Sequence, residues 1–178
     1  MRLLRERGEG FCEVYALMEK SFPQDEIRGE REARAVLSNK AYRLYRITEG
    51  GKFIGLLGVW RLSDFLFIEH FATLPDVRGM GYGSRALRAL FKMYGRAVLE
   101  VEPPETEIQK RRVAFYERCG FHLSNEEYYQ PPYREGGKPV RLMLMGYPQP
   151  IENHAKVTSQ LYSAVYGIKN NLYTGEIL

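Results

Sequence analysis

The chain has 178 residues, a formal net charge of +4 and two cysteines, Cys12 and Cys119. That length suits one domain with a real hydrophobic core, and two cysteines are too few for a disulfide framework or a metal set. No apolar run nears the ~18 residues of a membrane span, the N-terminus lacks a signal-peptide core, and the basic residues are scattered rather than massed. The expectation is a cytoplasmic protein with no metal, no membrane and no nucleic-acid partner, whose positive charge serves a local site for an anionic ligand.

Phe11, Val14, Tyr15, Leu17 and Met18 recur at helical spacing and predict a helix from Gly10 to Phe22, ended by Pro23. A short second helix follows over Glu30–Leu37. Tyr42, Leu44, Tyr45 and Ile47 mark a strand, Glu49-Gly50-Gly51-Lys52 a hairpin turn, and Phe53 to Trp60 the partner strand. A third strand runs from Phe65 to Leu74, with a turn at Pro75-Asp76. Ala86, Leu87, Leu90, Phe91 and Tyr94 then line one face of a helix from about Gly81 to Tyr94, closed by Gly95. Ala97 to Val101 is a short strand stopped by Pro103-Pro104, and Glu105 to Cys119 a helix ending at Gly120. Two strands, Phe121 to Gln130 and Val140 to Tyr147, flank a loop that holds Tyr133 and Glu135. Beyond Pro148 the residues Val157, Leu161, Ala164, Val165 and Ile168 again follow helical spacing.

This order predicts an α/β (α+β) fold: a mixed, mostly antiparallel central sheet with one parallel pair of strands and helices on both faces. Residues 1–147 form the domain. Residues 148–178 are an extension that packs on it or makes a contact between two copies.

The segment Arg78-Gly79-Met80-Gly81-Tyr82-Gly83-Ser84 stands between a strand and a helix. Amides at a helix N-terminus are unpaired, the helix dipole favours negative charge there, and glycines let a phosphate approach the backbone. Gly81-Tyr82-Gly83-Ser84-Arg85-Ala86 also fits the dinucleotide pattern G-x-G-x-x-A, with Glu100 and Glu102 near the offset of a ribose-binding acid. Three antiparallel strands ahead of the motif and a hairpin after it oppose that fold. A P-loop is excluded because no Gly-Lys-Ser/Thr is present.

Arg78-x-x-Gly81-x-Gly83 resembles the Q/R-x-x-G-x-G/A signature of the GNAT superfamily of N-acetyltransferases. Tyr116-x-x-x-Gly120-Phe121 resembles its second signature, at the end of the next helix. The resemblance covers roughly Met1 to Tyr147. It implies the GNAT fold, in which the strand holding Thr73 splays from the one holding Val98, and acetyl-CoA as acyl donor to an amine of a small molecule or a peptide. A non-catalytic acyl-CoA-sensing module of the same fold is the alternative.

Carried over to this sequence, the amides of Gly79, Met80, Gly81, Tyr82, Gly83 and Ser84, with Arg78, would grip the pyrophosphate. Phe71, Ala72 and Thr73 would pair with the pantetheine arm. Gln109 stands where many members have an Asn that touches that arm. Tyr116 is the candidate acid for the departing thiolate. Glu69 is the candidate base, placed by strand alternation on one face with Phe71 and Thr73, with His70 and Glu100 as rivals. Tyr128, Tyr129 and Tyr133 border the acceptor side, and Tyr42, Tyr45 and Trp60 line the pocket or fill the core. An aromatic wall there could hold an amine by cation–π contact.

Overall fold

The computed structural model describes residues 1–134 and 136–168. Glu135 of the predicted loop and residues 169–178 of the predicted extension lie outside the described residues. The described elements are β1 (Arg2–Glu6), α1 (Phe11–Ser21), α2 (Glu30–Ala35), β2 (Tyr42–Glu49), β3 (Lys52–Arg61), β4 (Leu66–Thr73), α3 (Tyr82–Phe91), β5 (Ala97–Val101), α4 (Glu107–Arg118), β6 (His122–Leu123), β7 (Tyr128–Gln130), β8 (Val140–Tyr147) and α5 (His154–Ala164). The strand order is β1-β2-β3-β4-β5-β8-β6, with β7 also paired to β8. Every pairing is antiparallel except β4 with β5.

The sheet is buried on both faces. Seven consecutive residues of β3, Ile54 to Trp60, are buried, as a central strand requires. On one face Phe11, Val14, Leu17 and Met18 of α1 meet Leu44, Leu56, Trp60, Phe67 and Val98. α5 covers the same face, with Leu161 and Tyr162 against Tyr128 and Leu142. On the other face Ala86, Leu87 and Leu90 of α3 and Val113 of α4 pack on Leu57, Val59, Leu66, Ile68 and Leu99. Each such side chain contributes about 1.5–3 kcal/mol of burial. α4 begins with a capping box between Thr106 and Gln109, and α5 with Asn153 accepting from Lys156 N–H at 2.9 Å.

Two departures from the sequence pattern have local causes. β1 is absent from the predicted elements because Arg-Leu-Leu-Arg-Glu does not alternate; it is an edge strand, paired with β2 from Arg2↔Thr48 to Glu6↔Leu44. The predicted strand Phe121–Gln130 is two pieces. Glu126 N–H donates to Ser124 Oγ at 3.2 Å and turns the chain, so β6 and β7 pair with opposite ends of β8.

Candidate active site

β4 and β5 pair at Leu66↔Ala97, Phe67↔Val98 and Ile68↔Leu99 and no further, although β4 runs on to Thr73. Beyond Ile68 the two strands part. A cleft of about 850 Å³ passes through the sheet at this gap. The backbone of Phe71 to Thr73 pairs with β3 on its other side, so its groups facing β5 are open to the cleft.

The glycine segment forms one end of this cleft. A turn at Pro75–Val77 leads to Gly79 and Gly81, both at φ 78°, a left-handed conformation that disfavours any side chain with a Cβ. The first intrahelical bond of α3 is donated by Arg85 to Gly81 O at 3.1 Å. The amides of Tyr82, Gly83 and Ser84 therefore have no carbonyl partner within the helix. A Cβ on Gly83 would stand 3.2 Å from Phe115 Cζ and 3.6 Å from Phe71 Cζ, so the two rings leave little room beside this position. Arg78, Arg88 and Arg118 also line the cleft and make this end cationic. The resulting cradle of free amides, glycines and arginines suits a polyphosphate.

Of the predicted contacts, Phe71, Ala72, Thr73, Arg78, Gly79, Gly81, Tyr82, Gly83, Ser84 and Tyr116 line this one cleft. Met80 does not; it is 61% exposed. Gln109 is a correction. Its carboxamide oxygen accepts from Thr106 N–H at 2.7 Å and Glu105 N–H at 3.2 Å, which ties that oxygen to the start of α4, and Gln109 does not line the cleft.

Tyr116 is buried between Phe115 and Phe121, at ring-centroid distances of 5.1 and 5.6 Å. Burial pushes its hydroxyl up to about 12, with Arg112 opposing. Burial likewise pushes the Cys119 thiol up, which keeps it protonated.

The placement of Glu69 is a second correction. The register of β3 against β4 slips between Gly58↔His70 and Val59↔Ile68, which leaves Glu69 as a bulge. Alternation fails there. Glu69 and His70 both face the side of α1 and α5, whereas Phe71 packs on the opposite side. The Glu69 side chain is fully buried. It accepts from Arg28 Nη1 at 2.5 Å and from the Tyr133 hydroxyl at 3.0 Å, and its second oxygen lies 3.4 Å from His70 Nδ1. Burial raises this carboxyl, but the Arg28 charge and His70 overcome it and hold Glu69 below the usual carboxylate range. His70 Nε2 is 2.9 Å from the Glu26 carbonyl.

The aromatic wall already holds a cation. The Arg28 guanidinium lies 4.4 Å from the Tyr133 ring centroid and 5.5 Å from that of Trp60. Tyr42 packs on Trp60 in the core, and Tyr45 belongs to the core of the opposite face.

Glu100 faces the same gap from β5. The Tyr166 hydroxyl donates to its carboxyl, 2.9 Å from Oε1 and 3.1 Å from Oε2. Burial drives Glu100 up to about 8; Tyr128 and Tyr166 counter this, and the nearby Glu69 and Glu26 carboxylates add to it. Arg28, Tyr166, Phe22, Glu26 and Gln130 were missed from sequence. Glu26 ends a short 3-10 turn and Arg28 follows it in a loop, and Tyr166 lies 66 positions from Glu100, so no spacing announced them. Among the described residues no group of three or more His, Cys, Asp or Glu could hold a metal ion, and no helix is long and apolar enough to cross a membrane.

Comparison with known proteins agrees with this geometry. The acetyltransferase (GNAT) family matches residues 11–121. A solved protein from Bacteroides thetaiotaomicron assigned to the GNAT family is 32% identical, with a TM-score of 0.89 over 95% of this chain and 100% of that one. YjbC of Bacillus subtilis (strain 168), a curated protein assigned to the acetyltransferases, is 23% identical over 91% of this chain and 85% of its own length. An aminoglycoside 6'-N-acetyltransferase solved with coenzyme A shares the fold, with a TM-score of 0.62 at 12% identity over 86% of this chain and 100% of that one. The chain belongs to the acetyltransferase (GNAT) family.

Proposed function

We propose that this chain moves the acetyl group of acetyl-CoA to a primary amine by direct attack within a ternary complex. The observation that carries the reading is the parting of β4 and β5 immediately beside the amide-rich glycine cradle. It offers one end for a polyanion and, next to it, a slot of open backbone for an extended chain that carries amides.

Acetyl-CoA supplies the activated acyl thioester. The amides of Gly79 and of Gly81 to Ser84, with Arg78, would hold its pyrophosphate, and Arg88 and Arg118 add charge for further phosphate. The Phe71 to Thr73 backbone would bind the pantetheine amides as a neighbouring strand does.

Two protons must move. Tyr116, raised to about 12, keeps its proton at neutral pH and can give it to a thiolate whose conjugate acid lies near ~8.5, taking Cys as the guide. Glu69, the base expected from sequence, is paired with Arg28 and held below the usual carboxylate range, which makes it a weak acceptor of a proton. We assign that role to Glu100, whose rise to about 8 makes its carboxylate a competent acceptor of an ammonium proton. No covalent acyl-enzyme is required, since Cys12 is exposed on α1 and the Cys119 thiol stays protonated.

The test is release of CoA thiol from acetyl-CoA across a panel of primary amines. At least one amine should raise the rate well above background hydrolysis. Tight acetyl-CoA binding with no amine-dependent release would overturn this reading and leave a CoA-binding module.

A further inference from the structure

The family match ends at residue 121, yet two carboxyls that line the cleft, Glu69 and Glu100, are held by residues beyond it. Past α5 the chain turns back toward the gap between β4 and β5. The Val165 carbonyl accepts from Arg28 Nη2 at 3.0 Å, and the next residue, Tyr166, donates its hydroxyl to Glu100. The Tyr166 and Tyr133 hydroxyls are 3.4 Å apart, with ring centroids 5.2 Å apart. Tyr133 in turn donates to Glu69. Two buried carboxyls on neighbouring strands are thus joined through two tyrosine hydroxyls, and one of these comes from the C-terminal extension.

The extension is anchored at its other end as well. Gln160 Nε2 donates to Ser63 Oγ and Asp64 Oδ2, both at 3.2 Å. Leu161 is fully buried, and the Tyr162 hydroxyl donates to Tyr129 O at 2.7 Å. A segment held this firmly can set the position of a hydroxyl against Glu100, which lines the cleft.

We propose that Tyr166 is a positioning residue of the acetyl-transfer site: its hydroxyl fixes the Glu100 carboxyl where that group takes the acceptor's proton. This inference rests on the acetyl-transfer reading for its role in catalysis. Tyr128 from β7, Glu69 from β4, Glu26 from the turn after α1 and Tyr166 all act on Glu100, and Tyr133 acts on Tyr166. Tyr166 lies within hydrogen-bond distance of both carboxyl oxygens, and Tyr128 also favours the ionised form.

The test follows the titration of the Glu100 carboxyl by NMR in protein labelled with 13C-glutamate, the signal being identified by its loss in Glu100→Gln. Removing a donor from an ionised carboxyl disfavours the ionised form, so Tyr166→Phe should move the midpoint upward by about one pH unit. The acidic limb of the kcat/KM profile should move with it, while KM for acetyl-CoA stays unchanged. Gln160→Ala, which loosens the same extension away from the cleft, should leave the midpoint in place. A midpoint unmoved by Tyr166→Phe overturns the inference, as does an equal movement in Gln160→Ala. A shifted midpoint in Tyr166→Phe with a wild-type protein that acetylates no amine would overturn the proposed function while supporting the contact; an active wild-type enzyme with no shift in the variant would overturn this inference alone.

Discussion

Glu100→Gln is the perturbation whose consequence follows most directly from the structure. The Glu100 carboxyl is buried beneath Tyr166, and its ionisation is moved from an ordinary 4.5 to about 8. Because the folded value lies above the unfolded one, this carboxyl favours the fold fully below about 4.5, and that contribution is lost as pH rises through about 8. Carried over the whole interval, the loss is on the order of 5 kcal/mol. Water entering the cleft lowers that ceiling, and at least about 2 kcal/mol should survive in measurement. Glutamine keeps the shape and accepts the same hydrogen bond from Tyr166 without an ionisable proton. Urea unfolding of both proteins at pH 5, 7 and 9 provides the assay. The two should be nearly equal at pH 5, and the Gln variant should be the more stable at pH 9. Equal stability at pH 9, or a Gln variant weaker at every pH, would refute the placement of a strained carboxyl there. The same variant should abolish the rise of activity through about pH 8 that the proposed base requires.

Arg28→Ala should destabilise by about 3–5 kcal/mol at neutral pH, because it strands the buried Glu69 carboxylate. Glu69 is held low by its partners, so the pair's contribution is present above about 4.5 and fades as pH falls; the variant's deficit should shrink in acid, and a deficit independent of pH would count against the pairing. Tyr116→Phe should lower kcat by about 10²-fold with little change in KM for acetyl-CoA, as loss of a general acid does. A rate within twofold of wild type in steady-state assays would remove Tyr116 from the chemistry.

The elements that bury regular stripes were legible in the sequence. The α1 stripe of Phe11, Val14, Leu17 and Met18 and the α3 stripe of Ala86, Leu87 and Leu90 packed on opposite faces at the expected spacing. The glycine segment was legible through local chemistry and Tyr116 through its resemblance to the second GNAT signature, and the structure brings them to one cleft. Glu69 was misplaced because alternation presumes an unbroken strand, and a single bulged residue inverts everything inferred from parity. Gln109 was misread because its carboxamide oxygen completes the capping box of α4 and the residue does not line the cleft. Arg28 and Tyr166 were invisible because their partners are 41 and 66 positions away, and only the tertiary fold makes them neighbours.

The central claim is that the cradle and the parted strands together seat acetyl-CoA. Titration calorimetry with acetyl-CoA on the wild type and on Gly83→Val measures it directly. The wild type should bind one equivalent saturably. In the variant the added side chain would press on Phe115 and Phe71 where they close over Gly83, and affinity should fall at least about tenfold, or about 1.4 kcal/mol, with the fold retained. No saturable heat with the wild type, or equal affinity in the two proteins, would contradict the account.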